Sequence, residues 1–213
     1  MINIKKSTPA PICLEKEKQK INGDYKCGDV LALLKYDFHN KCYLCEDQPT
    51  SINVEHFEPH QGNKEKKFDW KNLFFSCAHC NNIKLDRYNT NENNRILDCT
   101  DSEHDVENGL KYEMVHFPKK EVKITALKNE AIIHNTVKLL SEVYNGTTKQ
   151  KKMEAENLKD KLQAELIQFQ EMLTGYLEAK TDQEKALYLI QIKKQLKKSS
   201  NFRAFKQQIW ALI

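Results

Sequence analysis

Two CxxC pairs constrain this chain more than any other feature of its sequence. Cys42 and Cys45 form the first pair, and Cys77 and Cys80 form the second after 31 intervening residues. Four thiolates in this pattern suit tetrahedral zinc, because each pair supplies two sulfurs from one tight turn. A site closed by four sulfurs leaves no position for water, so the predicted zinc is structural. The intervening length predicts an element about the size of a hairpin between the pairs.

The other three cysteines are predicted to carry no function. The chain has no apolar run of membrane-span length and no signal-peptide stretch near its start, which favours a cytoplasmic protein. Thiols stay reduced in that compartment, and the odd total of seven cysteines is unlike a secreted disulfide framework. We therefore expect Cys13, Cys27 and Cys99 to be free thiols, either buried as small apolar residues or idle.

The basic residues are almost all lysines. Among 34 lysines and arginines only Arg87, Arg95 and Arg203 are arginine, and the net charge is +4. Lysine contacts a phosphate as a point charge, whereas bidentate reading of guanine favours arginine. Any nucleic-acid contact is thus expected at the backbone rather than at the bases. A lysine-rich surface is also ordinary among soluble proteins, so this indication is weak.

The pattern of polar and apolar residues divides the chain into three parts. Residues 1–39 are predicted to be an extended N-terminal arm that ends in a short amphipathic helix over 24–38. Residues 40–100 hold the motifs, with a short strand predicted at 95–97 in a loop rich in asparagine and aspartate. Residues 101–213 are predicted to be a linker and a helical region.

The helical region shows clear periodicity. Thr181 with Glu184 predicts a capping box, and a further helix is predicted from about Ser200. These helices could pack as a small bundle, with the apolar end "QQIWALI" either docked in it or offered to a partner. One long helix carries apolar residues at steps of three and four, namely Leu158, Leu162, Leu166, Phe169, Leu173 and Leu177.

The segment between the cysteine pairs predicts a strand, a long loop, a strand and a helix. "NVEHF" reads as the first strand, "NLFF" as the second and "NNIKLDRY" as the helix. His56 at a strand end and Asn81 in the first helical turn would then face one cleft. Lys84 shares the helical face of Asn81 and could touch a phosphate, or could be an ordinary solvated lysine. The predicted fold class is α+β, a small zinc-stapled ββα unit followed by a mostly α-helical region.

The motif order resembles that of the HNH endonuclease family in its zinc-bracketed form. The strings "CYLCED", "VEHFEP", "FDWKNLFFSCAHCNNIK" and "ILDCTD" resemble more narrowly the HNH proteins associated with retrons and with the Septu antiphage system, the PtuB group. This likeness covers residues 40–100, with a looser match beyond. It is carried by Glu55, His56, Pro59, Asn72, Leu73, Cys77, Cys80, Asn81 and Lys84.

The resemblance implies a role for each residue of the predicted site. His56 would be the general base that activates water for attack on a phosphodiester, and Asn72 would brace the loop that presents it. Glu55 and Asn81 would hold a divalent cation. They stand where aspartate and histidine are frequent in the family, and two oxygen donors favour Mg²⁺ or Mn²⁺ over zinc. Where the PtuB group suggests a basic residue, this chain has Glu58.

The resemblance also implies a function and a partner. The protein would be a nuclease of an antiphage system, with DNA favoured as substrate, acting with an ABC or SMC-like ATPase, PtuA. The chain itself contains no GxxxxGK[ST] phosphate loop. Two alternatives remain open: an idle zinc-knot adaptor that only binds nucleic acid, and a nuclease that acts on RNA such as tRNA. Taken singly the residues could be ordinary surface, turn or cap residues, but their joint order favours the nuclease.

Overall fold

The N-terminal segment is part of the core. The computed structural model describes residues 1–213, and in it the side chains of Met1, Ile2 and Ile4 are buried. The backbone N–H of Ile4 donates to the carbonyl of Cys99 at 2.7 Å. The segment predicted to be an extended arm therefore packs into the core, because burial removes its three apolar side chains from water.

Two short helices follow this segment. Helix α1 spans Ile12–Lys18 and helix α2 spans Gly28–Asp37. The predicted helix over 24–38 is confirmed, although it begins a turn later. A disulfide joins Cys13 to Cys27, so the prediction that both are free thiols was wrong: the turn between the helices brings their Cα atoms to 6.6 Å, within bridging reach. Cys99 is a free, buried thiol.

The region between the cysteine pairs has the predicted strand, loop, strand and helix. Strand β1 (Ile52–His56) pairs antiparallel with strand β2 (Leu73–Cys77), with His56 opposite Leu73. The connection contains helix α3 (Lys64–Phe68) and one 3₁₀ turn. Helix α4 (Ala78–Lys84) begins directly after β2 and packs against both strands.

The strand predicted at 95–97 is absent. Ile96 and Leu97 are buried, but their backbone N–H groups donate to side chains: Ile96 to Asn89 Oδ1 and Leu97 to Thr136 Oγ1. Because side chains satisfy these donors, the segment needs no partner strand.

A second hairpin lies in the region predicted to be a linker. Strand β3 (Leu110–Val115) pairs antiparallel with strand β4 (Glu121–Ala126). Val122 and Ile124 are buried while the residues between and beside them are exposed, which is the two-residue period of a half-buried strand. The α+β class is confirmed, with two small antiparallel sheets.

Four helices complete the chain. They are α5 (Ala131–Asn145), α6 (Lys149–Glu178), α7 (Asp182–Gln195) and α8 (Arg203–Trp210). Gly146, at φ 69°, makes the sharp turn from α5 into α6. The predicted capping box at Thr181 and Glu184 is present. No helix is both long enough and apolar enough to cross a membrane.

The helices share one core with the ββα unit instead of forming a bundle of their own. Helix α5 packs on β4 and on α4, and α8 packs on β3. The main apolar cluster accordingly runs from Met1 to Phe205, across the boundary predicted at residue 100. A smaller cluster joins the far end of α6 to α7. Trp210 packs on Tyr176 at 5.9 Å between ring centroids, so this part of the apolar end is docked, whereas Leu212 and Ile213 are exposed.

Candidate metal centre and active site

The four paired cysteines meet at one end of the ββα unit. Cys42 and Cys45 come from the loop before β1, Cys77 ends β2, and Cys80 lies in the first turn of α4. Their sulfurs all lie within 4.8 Å of one another, and Cys45 Sγ is 3.9 Å from Cys77 Sγ. A tetrahedron with zinc–sulfur bonds of about 2.3 Å has edges of roughly 3.8 Å. The cluster could therefore hold a metal ion such as zinc.

The electrostatics of the cluster suit a bound cation. Burial alone would raise the pKa of the Cys42 thiol, but hydrogen bonds with Cys45, Cys77 and Cys80 lower it well below its usual value. The same contacts and burial raise the pKa values of Cys45 and Cys80. A metal ion that binds here would displace the thiol protons and hold the sulfurs as thiolates.

His79 lies between the second pair of cysteines but both of its ring nitrogens are engaged elsewhere. Nδ1 is 2.8 Å from Glu154 Oε2 on α6, and Nε2 is 2.8 Å from the carbonyl of Val143 on α5. His79 thus fastens α4 to the C-terminal helices. Both ring nitrogens are therefore unavailable to a metal ion at the cysteine cluster.

His56, the predicted general base, stands at the end of β1 with one nitrogen fixed and one free. Its Nε2 lies 2.9 Å from the carbonyl oxygen of Lys67, which can only accept, so Nε2 carries the proton in the neutral ring. Nδ1 then holds the lone pair. The ring is half-buried between Tyr25 and His60, whose ring centroids lie at 4.5 and 4.7 Å. Its position and tautomer are therefore defined by the surrounding fold.

The environment of His56 favours its neutral form. Burial lowers the pKa of the imidazole below its usual value, and the charges of His60, Lys84 and Lys67 lower it further, while the hydrogen bond to the Lys67 carbonyl opposes them. A neutral imidazole is the form that can accept a proton.

Glu55 is buried beside a lysine. Its Oε1 accepts from the Tyr43 hydroxyl at 2.9 Å and lies 2.8 Å from Lys84 Nζ. Its Oε2 is buried and has no hydrogen-bond partner. Burial raises the pKa of the Glu55 carboxyl, and the attractions of Lys84 and Tyr43 oppose that rise.

Lys84 differs from the prediction. Its side chain is fully buried, and Nζ also lies 3.2 Å from the carbonyl oxygen of His56. It is therefore not on the surface in this structure, and the expectation that it contacts a nucleic-acid phosphate is corrected. The spacing of Lys84 after Asn81 does place both on one side of α4, but that side packs on β1 instead of facing solvent.

Asn72 lies where a brace for the His56 loop would be. Its Oδ1 accepts from the N–H of Glu58 at 2.6 Å, and its Nδ2 donates to the carbonyls of Glu58 and Lys66 at 2.9 and 3.0 Å. These bonds tie the residues just after His56 to helix α3, which carries the Lys67 carbonyl. Glu58 itself pairs with Lys66 at 3.0 Å, so one lysine of residues 64–67 offsets this acid.

Asn81 lies in α4, one turn before Lys84, and is partly exposed. Its amide makes no hydrogen bond within the protein, unlike the amide of Asn72, so its oxygen is free to bind a ligand. The side chains near His56 that the sequence analysis missed are Tyr25, Tyr43 and His60. Tyr43, inside the string "CYLCED", and His60, four residues after His56, lie in the motif region, whereas Tyr25 lies outside it.

Comparison with known proteins gave no family model that matches this chain and no curated protein whose sequence matches it.

Proposed function

We propose that this protein is an HNH-type, metal-dependent endonuclease that hydrolyses phosphodiester bonds of nucleic acid, with DNA as the favoured substrate. The observation that carries the proposal is the state of His56. It stands at the end of the first strand of a ββα unit bracketed by CxxC pairs, with Nε2 held by the Lys67 carbonyl and Nδ1 free.

His56 would act as the general base. Nδ1 would take a proton from a water molecule aligned with the phosphorus, and the Lys67 carbonyl would stabilise the imidazolium that results. Tyr25 and His60 would keep the ring from rotating away from the water. Asn72 would hold the Lys67 and Glu58 segments together, so that base and substrate keep their spacing.

Glu55 and Asn81 would hold the catalytic ion. The unpartnered Oε2 of Glu55 and the unengaged amide of Asn81 are oxygen donors, the type that Mg²⁺ or Mn²⁺ prefers. Such an ion would stabilise negative charge on the phosphate and on the leaving oxygen. The four sulfurs of the cysteine cluster would hold Zn²⁺ in a purely structural role.

One observation favours a second candidate, an idle zinc-knot adaptor that only binds nucleic acid. The Lys84 ammonium already neutralises the Glu55 carboxylate at 2.8 Å. A cation at Oε2 would have to bind beside that positive charge. The adaptor reading predicts binding without cleavage, and the nuclease reading predicts cleavage that needs both His56 and a divalent ion.

The biological setting we propose is antiphage defence of the Septu or retron type. The motif strings over residues 40–100 support it, as does the exposure of Leu187 and Ile190 on α7, which offers an apolar surface to a partner ATPase of the PtuA kind. A structured RNA such as tRNA is the alternative substrate.

The first test is cleavage by wild type and by His56→Ala. We expect the protein, with its partner ATPase, to cut plasmid DNA in Mg²⁺ and not in EDTA, and total RNA serves as the second substrate. Removal of a general base should slow cutting by about 10²- to 10⁴-fold. His116→Ala changes an exposed histidine outside the site and should cut like wild type. Equal behaviour of wild type and His56→Ala in every condition would refute the nuclease.

A further inference from the structure

A second cleft lies at the C-terminal end of α2. The other end of this helix follows Tyr25, which packs on His56. We call this cleft the α2 groove, a space of about 840 Å³ between the N-terminal segment, the C-terminal end of α2 and the segment after α7. Its polar lining includes Lys5, Thr8, Lys35, Tyr36, His39 and Lys198.

The α2 groove carries a positive charge that nothing in the protein neutralises. Lys5, Lys35 and Lys198 are exposed, and none of them is in an ion pair. The one acid in the lining, Asp37, is buried and accepts from the N–H and the hydroxyl of Ser7 at 2.7 and 2.5 Å. The groove therefore presents three ammonium groups that are outside any ion pair, of which that of Lys198 donates to the carbonyl of Asn3 at 2.6 Å, and no free carboxylate.

The positive surface extends beyond the groove along the end of α7. Lys193, Lys194 and Lys197 are exposed and lie within five residues of Lys198. None of these three is in an ion pair either. Several unpaired lysines close in sequence to one that lines a cleft suit an extended polyanion better than a single small anion.

The uncharged side chains of the groove indicate which polyanion. Tyr36 is 76% exposed beside Lys35, and an exposed ring next to cations can stack on an unpaired base. Thr8, Asn40 and Ser199 supply hydroxyl and amide donors of the kind that contact phosphates. An acidic peptide would use the lysines but would have no need of an exposed ring. The combination favours nucleic acid.

Helix α2 connects the groove to the candidate active site. Tyr25, three residues before α2 begins, packs on His56, while Lys35 and Tyr36 lie at its far end. Ten helical residues span about 15 Å. That length corresponds to roughly four base-pair steps of a duplex.

We propose that the α2 groove binds the phosphodiester backbone of nucleic acid and holds the strand whose scissile bond is presented to His56. The choice of ligand rests on the proposed nuclease function. The binding itself does not require cleavage, so the two proposals can fail separately.

The experiment measures binding without cutting. Labelled DNA duplex, DNA single strand and RNA single strand of one sequence are titrated with the full-length His56→Ala protein in EDTA over a series of salt concentrations. Changing Lys5, Lys35 and Lys198 together to glutamine should reduce the slope of log Kd against log salt concentration by about 2 to 3. Each phosphate contact contributes roughly 0.7 to 0.9 to that slope. Tyr36→Ala should weaken single-strand binding at least about fivefold.

The control has the same change of charge at another place. Lys123, Lys149 and Lys152 are exposed and outside all ion pairs, and their triple glutamine variant should keep the wild-type salt dependence. Single variants Lys5→Gln and Lys35→Gln should each flatten it by about 0.7 to 0.9, which tests the groove even if the triple variant does not fold. Equal salt dependence in the groove and control variants would overturn the proposal that the α2 groove binds nucleic acid. A wild type that never cuts, but whose groove variants lose binding, would overturn the nuclease alone.

Discussion

Glu55 has one carboxylate oxygen that is doubly engaged and another that has no partner. Tyr43 and Lys84 occupy Oε1, and Oε2 is buried without a hydrogen bond. An unsatisfied buried oxygen costs about 1–3 kcal/mol unless a ligand occupies it. The asymmetry is thus a physical reason to expect a cation beside Glu55, and the ammonium of Lys84 is the reason that such an ion would bind weakly until a phosphate adds negative charge.

The pKa of His56 gives a prediction at this scale. As a general base, His56 would accept a proton only when its ring is neutral. Burial and nearby positive charges lower the pKa of His56 below the usual 6.5. As pH falls, the ring therefore stays neutral to a lower pH than an ordinary histidine. We expect the acid limb of the profile of kcat/KM against pH to lie below 6.5. His60→Gln should move it upward by removing one of those charges, and His116→Gln should not. An acid limb above pH 6.5 in the wild type would contradict the assignment of His56 as the general base.

The residues of the site were predictable as a set but not in their contacts. Their order predicts His56, Asn72 and Asn81 as site residues, because the motif fixes residue types at fixed positions, and their roles stay a prediction. The burial of Lys84 could not be predicted, since three-residue spacing gives the side of a helix and not the surface that this side packs on. Tyr25 and Tyr43 come from outside the segment between the cysteine pairs, and only the tertiary fold brings them to His56 and Glu55.

Helix α4 presents two adjacent asparagines in different surroundings. Asn81 is partly buried one turn before Lys84, which reaches Glu55, whereas Asn82 is exposed. If Asn81 is a ligand of the catalytic ion, Asn81→Ala should raise the Mg²⁺ concentration needed for half-maximal cleavage by about tenfold or more. A tenfold change corresponds to the loss of about 1.4 kcal/mol of binding free energy. Asn82→Ala is the matched control and should keep the wild-type Mg²⁺ dependence. The same dependence in both variants would remove Asn81 from the site.

Elements with a long, regular period were predictable, and the short hairpin was not. The apolar stripe predicted on α6 runs through about five turns. Its residues from Leu158 to Leu173 are buried as expected, whereas Leu177 at its end is exposed. Strands β3 and β4 have only six residues each, and their alternation is interrupted by the turn between them, in which Lys119 is exposed and Lys120 is half-buried. Such a short alternating run cannot be separated from a loop until its buried face has found a partner, which here is α5.

At the scale of the whole molecule, the cysteine cluster joins the loop before β1 to β2 and α4. We expect the purified protein to contain zinc, and Cys77→Ala to lose it and to melt at a clearly lower temperature, because the free energy of structural zinc binding contributes directly to folding. Cys99→Ala is the control, since this buried thiol lies outside the cluster and its loss should leave zinc content unchanged. Wild-type protein without zinc would refute the structural metal. His56→Ala should retain zinc.

The overall arrangement was only partly predictable from the sequence. The cysteine spacing predicted the cluster, since four ligands at these positions have few other uses. The bridge between Cys13 and Cys27 was missed because free thiols were predicted from an expected reducing compartment. The close approach of these two residues is a feature of the tertiary fold. The shared core was missed because an apolar stripe indicates that a helix is buried but not which element buries it.

The continuous apolar cluster bears on how such a protein can change during evolution. Because Met1, Phe74, Val143 and Phe205 belong to one core, the segment of residues 40–100 has no complete interior of its own. Recombination that moved this segment alone into another chain would strip it of the side chains that cover it. Insertions are better tolerated at exposed turns, such as the one between β3 and β4. We therefore expect the ββα unit to be inherited together with the helices that cover it.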